Sequence, residues 1–84
     1  MDPDGTPPFR QILRAYRQRA ALSQNALARR AALDPAYICR LESGRQSAPS
    51  RHAVHALATA LALSPHDRAL LFQATGYVPL EQVG

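Results

Sequence analysis

Between the apolar stretch that ends "LARRA" and the one that begins "YICRL", the chain leaves almost nothing to connect them. Ser23 is a good N-cap for a helix running to about Ala31, and Asp34 caps a second helix whose first residue is Pro35. A side-chain oxygen at the cap satisfies an amide of the first turn, and proline at the first position loses no hydrogen bond. Leu22 with Leu27, and Leu33 with Ile38, occupy the two positions of a hydrophobic staple around these starts. So short a connection forces a sharp angle between the two helices, the geometry of a helix-turn-helix unit.

The rest of the chain fits around that unit. Phe9, Ile12, Leu13, Tyr16 and Ala20 follow helical spacing and give helix 1 one apolar stripe, with Arg10, Arg14 and Gln18 opposite. In helix 2, Leu27, Ala28 and Ala31 face inward and Arg29 and Arg30 outward. Ser50 caps helix 4, whose stripe is Val54, Leu57, Ala58 and Leu61. Ser64 caps helix 5, with Pro65 at its first position, Leu70, Leu71 and Ala74 inside, and Gly76 at its end. No stretch alternates convincingly like a strand. The fold class expected is all-α, a compact bundle of five short helices. Residues 1–8 read as a mobile arm, 9–76 as the domain, and 77–84 as a tail with apolar residues.

Composition supports this and narrows the function. The 84 residues are 46% hydrophobic, enough for one modest core. There is no apolar run of about 20 residues, so no membrane partner is expected. The start "MDPDGTPP" does not resemble a secretory signal, and the single Cys39 forms no internal disulfide, which fits a cytoplasmic protein. Residues 10 to 51 hold nine arginines against Asp34 and Glu42, a balance of +7 in a chain whose total is +4. That concentration points to a polyanion, although the complete absence of lysine also reads as a bias of base composition.

Helix 3, residues 35–43, is about two and a half turns long and ends at Gly44. Ile38 and Leu41 face the core, with Tyr37 at its edge. Pro35, Ala36, Cys39, Arg40 and Ser43 are left on the outer side. A helix held from behind and free in front is what major-groove reading requires.

At these residues the chain resembles the lambda-repressor-like helix-turn-helix family, of the Xre/Cro type. The resemblance runs from about Leu13 to Leu61 and rests on "LRAYRQRAALSQNALARRA", "YICRLESGR" and "APSRHAVHALATAL". It implies a sequence-specific regulator of transcription that binds double-stranded DNA, is associated with the nucleoid and acts as a homodimer on a palindromic operator. The positions that would meet base edges are Pro35, Ala36 and Arg40, with Cys39 and Ser43 on the same face. Ser23 and Gln24, and the segment Arg45, Gln46 and Ser47, would contact phosphate, and Gln24 would also brace the reading helix. Arg17 and Glu42 match a partly buried salt bridge. Ala21 and Ala32 depart from the family, which commonly has glycine there. Ala26 replaces its usual glutamate, leaving no capping box.

Pro35 and Ala36 offer a base only apolar contact, so hydrogen-bonded readout falls on Arg40, whose guanidinium suits guanine O6 and N7. Arg29 and Arg30 either touch phosphate or keep helix 2 soluble. Phe72, Tyr77, Val78 and Leu80 exceed what the core needs and are candidates for a dimer contact, or equally for packing on the chain's own helices. That apolar tail also admits another class: a protein-interaction module such as an antitoxin or adaptor. A restriction–modification controller is a further possibility within the DNA-binding class. Cys39 on the reading face invites a redox switch, against the simpler reading of a small residue tolerated in a groove. His52 and His55 have a spacing that suits a shared metal, but no cluster forms around them, and no metal or cofactor is expected. No acid–base pair, nucleophile elbow or phosphate-cradling glycine loop is present, so no enzyme and no small-molecule ligand are expected.

Overall fold

A computed structural model describes residues 8–46 and 49–75. They form α1 (Phe9–Arg19), α2 (Gln24–Ala31), α3 (Pro35–Ser43), α4 (Arg51–Ala60) and α5 (Pro65–Gln73), with no strand among them. The fold is all-α. The four expected caps are in place: Ser23, Asp34, Ser50 and Ser64 accept from the amides of Ala26, Ala36, Ala53 and Asp67. Pro8, assigned to the arm by sequence, instead stands at the N-cap of α1, where its carbonyl accepts from the amides of Gln11 and Ile12.

The core gathers one stripe from each helix. Leu13, Leu27, Ile38, Leu41, Val54, Leu57, Leu71 and Phe72 are essentially inaccessible to solvent. Each contributes roughly 1.5–3 kcal/mol by leaving water. α2 packs against α3 and α4, α1 against α3 and α5, and α4 against α5. α3 is thus backed by both α1 and α2.

Two expectations about α5 are corrected. Phe72, a candidate dimer contact, is fully buried in its own chain, whereas Leu70 is only half-buried. The contiguous run Leu70–Leu71–Phe72 carries no helical period, so sequence alone does not fix which pair turns inward. The helix also ends before Gly76. Thr75 donates to the carbonyl of Phe72 from both its amide (3.1 Å) and its hydroxyl (2.7 Å), and Ala74 is the C-cap. Gly76, Tyr77, Val78 and Leu80 lie outside the described residues. In α1 the stripe stops at Tyr16, because Ala20 is an exposed C-cap residue.

Three connections share one construction. Ala21, Ala32 and Ala62 have φ of 58°, 57° and 52°. Each is followed by a leucine, Leu22, Leu33 or Leu63, whose amide reaches back to the carbonyl of Arg17, Ala28 or Ala58. Each alanine amide bonds one turn back, to Gln18, Arg29 or Thr59. This is a Schellman ending, with alanine where glycine is usual and with the leucine packed on the core. The left-handed conformation costs an alanine about 1–2 kcal/mol. Burial of the following leucine offsets it. The second of these endings is the turn between α2 and α3, and it sets the direction in which α3 departs.

A polar clasp closes α1 onto α5. Asp67 accepts from Arg19 at 2.9 Å and from the Tyr16 hydroxyl at 3.3 Å, while the Arg19 guanidinium lies 4.6 Å from the centre of the Tyr16 ring. Arg19 holds the Asp67 carboxyl below its ordinary range. Burial, then the Asp67 charge, raise the Tyr16 hydroxyl above its own.

Ala32→Gly and Ala62→Gly should each raise stability by about 0.5–1 kcal/mol, the released strain less the entropy that glycine adds to the unfolded chain. Urea titration reads this directly, and a loss of stability would show that the left-handed turn is not strained. The clasp gives a second expectation. Asp67 stabilises above the ordinary aspartate pKa, and that contribution is lost as pH falls through its depressed folded value. Tyr16 stabilises below the ordinary tyrosine pKa, and its contribution is lost as pH rises through its raised folded value. Stability measured across pH should therefore show a flatter acid limb in Asp67→Asn and a flatter alkaline limb in Tyr16→Phe.

Candidate nucleic-acid interface

α3 is short, and apolar side chains hold it to the core. Ile38 and Leu41 anchor it, with Tyr37 half-buried at the margin. Pro35, Ala36, Cys39, Arg40 and Ser43 are all exposed. The structure thus brings the five expected outer residues onto one solvent face. The Ser43 hydroxyl is turned back on the helix and donates to the Arg40 carbonyl at 3.2 Å, so in this rotamer it offers only lone pairs outward. The Arg40 guanidinium lies 6.0 Å from the Tyr37 ring centre, at the outer limit of a cation–π contact. Cys39 is a free, exposed thiol.

The helix is aimed by a partly buried charge network. Arg17 donates to both oxygens of Glu42, from Nε at 2.6 Å and from Nη2 at 2.9 Å. Its third donor, Nη1, meets the carbonyl of Leu22 at 2.9 Å. Gln24 Nε2 adds a bond of 3.2 Å to Glu42. The side chains of Arg17 and Glu42 are only 13% and 5% exposed. The hydrogen bond that Arg17 donates to Glu42 lifts its pKa above the usual value, against the opposing effect of burial. One guanidinium therefore joins α1, the turn before α2 and the last turn of α3, and Gln24 ties in the start of α2. Sequence gives no sign of the bond to Leu22, because no local pattern marks a backbone carbonyl as the partner of a particular arginine.

The start of α2 is open to an anion. Ser23 satisfies the amide of Ala26, and there is no acidic residue in the first turn. The remaining amides of that turn have no partner within the helix and carry the positive end of its dipole. Such an end binds phosphate oxygens well. Beyond α3, Arg45 is exposed and Gln46, half-buried, donates its amide to the Arg40 carbonyl at 3.1 Å. Ser47 lies outside the described residues.

The acids and bases are used differently. The described residues hold three carboxylates, and each is engaged within the fold. Asp34 caps α3, Glu42 holds Arg17, and Asp67 holds Arg19. Arg10, Arg14, Arg29, Arg30, Arg40 and Arg45 are exposed, with no carboxylate paired to them among the described residues. Of the two histidines with metal-compatible spacing, His52 is exposed and His55 half-buried. His55 Nδ1 lies 2.6 Å from Arg68 Nη2, and since a guanidinium only donates, that nitrogen accepts. No group of three metal-ligating side chains occurs among the described residues. No helix there is long and apolar enough to cross a membrane.

Removing Glu42 leaves the Arg17 charge half-stranded. Glu42→Ala should cost about 3–5 kcal/mol, as for a buried pair broken on one side, and the paired change Arg17→Met with Glu42→Leu should recover most of it. Chemical denaturation of the three variants measures this. A cost under about 1 kcal/mol would class the bridge with ordinary surface pairs.

Comparison with known proteins gives one match. A family whose description is "Helix-turn-helix domain" matches residues 9–71, a span that takes in α1 to α4 and most of α5. No curated protein and no solved structure matches the chain.

Proposed function

The chain belongs to the helix-turn-helix domain family, and on that premise we propose that it is a sequence-specific regulator of transcription that reads the major groove of double-stranded DNA with α3. The observation that carries this reading is the outer face of α3: exposed along its length, basic at Arg40, and fixed from behind by Ile38, Leu41 and the Arg17–Glu42 pair. Around it lie exposed arginines whose charge the described carboxylates leave uncompensated. Their counterpart is a polyanion.

In this reading Arg40 carries the hydrogen-bonded recognition, through guanine O6 and N7. Pro35 and Ala36 give apolar contact, to a thymine methyl for example, and Cys39 and Ser43 fill the same face. Ser23 and Gln24 hold phosphate at the open end of α2, and Arg45, Gln46 and Ser47 hold it beyond α3. So few base contacts make a narrow code, supplemented by the shape of the duplex. The lambda-repressor-like, Xre/Cro-type assignment belongs to the same proposal and rests on the spacing of "SQ", "ALA" and "YICRLESG". One short reading helix is a small surface for specific binding, which favours a homodimer on a two-fold site with reading helices about 34 Å apart. Tyr77, Val78 and Leu80 remain the candidates for its contact, without the buried Phe72.

Selection from a random duplex library, followed by a salt series on the best site, tests the proposal. An enriched palindrome bound by two chains is expected, with affinity falling steeply as salt rises. Arg40→Ala should cost about 1–3 kcal/mol on that site and relax the preference at one base pair. Equal weakening on selected and random duplex would remove Arg40 from the reading role. If no sequence is enriched and binding stays weak, a protein partner takes the place of the operator.

A further inference from the structure

Arg10 belongs by sequence to the solvent face of α1, yet its side chain does not simply extend into water. It lies along the turn that ends α3. A Cβ placed on Gly44 would meet Arg10 Cδ at 3.5 Å and Nε at 3.9 Å. Gly44 has φ +84°, a conformation L side chains rarely adopt. The glycine thus closes the reading helix and leaves its outer surface bare for the arginine to cross. Arg10 is exposed, the first turn of α1 has no acidic residue, and no described carboxylate pairs with it. Arg45, the residue after Gly44, is exposed in the same way. The place is also concave: Phe9, Arg10, Leu41, Gly44, Gln46 and Ala74 line an open recess of about 360 Å³.

An exposed guanidinium laid against this turn, with no carboxylate paired to it among the described residues, is placed to meet an anion. We propose that Arg10 is a further phosphate-binding residue, which acts with Arg45 at the C-terminal end of α3 and extends the DNA-contacting surface from the helix-turn-helix unit onto α1. The proposal rests on the DNA-binding reading given above. It adds one phosphate to the contacts and no base preference. A different role is available to the same side chain: a cation near the carbonyl end of α3 favours the helix dipole without touching DNA. The two roles separate in solution, because a phosphate contact is read in counterion release and a dipole contact in folding stability.

The test uses the full chain and two duplexes, a selected site and a random sequence. Arg10→Gln removes the charge. Arg10→Met removes it while keeping an unbranched stem over Gly44. For both, the slope of log K against log salt should shrink by about 0.9. Affinity should fall by the same factor on both duplexes, with the melting temperature unchanged, and Arg10→Lys should keep the wild-type slope. If both neutral variants bind with the wild-type slope while Arg40→Ala weakens the selected site, Arg10 serves only α3, and the reading helix stands. A wild-type chain that binds neither duplex overturns the DNA-binding reading and this one together.

Discussion

The arrangement depends on the three bonds of the Arg17 guanidinium. Two go to the Glu42 carboxylate near the end of α3 and one to the carbonyl of Leu22, at the start of the turn into α2. The apolar contacts of Ile38 and Leu41 keep α3 on the core, but such contacts have no direction and leave the helix free to roll. A planar fork meeting a carboxylate has direction. It fixes the helix about its own axis, and so fixes which side chains face out. Gln24 reaches the same carboxylate from α2. A residue at the edge of the proposed DNA surface is thereby joined to one that never approaches it.

The placement of acids follows from this. A carboxylate on a DNA-facing helix repels the phosphates it approaches, unless a cation neutralises it. Glu42 is neutralised by Arg17, and Asp34 lies at the cap, where the helix amides absorb its charge. Asp67 sits on α5 with Arg19. The exposed arginines of α1, α2 and α3 keep their field, and the fold keeps its polar anchors. The same residue type serves both ends: half-buried as Arg17, bare as Arg40.

Much of this is legible in the sequence because its causes are local. A cap, a proline at the first position and a staple lie within six residues of each other, and they place the starts of α2 and α3 correctly. Stripes with clear periods place Leu13, Leu27, Ile38, Leu41, Val54 and Leu57 in the core. Where the period is lost, as in Leu70–Leu71–Phe72, so is the direction of the helix. The clasp between Tyr16 and Asp67 joins residues 51 apart, and nothing near either one names the other. Arg10 over Gly44 is of the same kind. The resemblance to a known family supplies the pairing of Arg17 with Glu42, which spacing alone does not give.

The three left-handed alanines have a meaning for how such a chain can change. Proteins tolerate a costly substitution at a binding face only while enough stability remains to absorb it. Here the slack is stored in the connections, at Ala21, Ala32 and Ala62, each exposed and each removable by one substitution. None lies on the outer face of α3. A lineage could therefore first relax its turns and then alter the outer residues of α3 without ever passing through an unfolded intermediate.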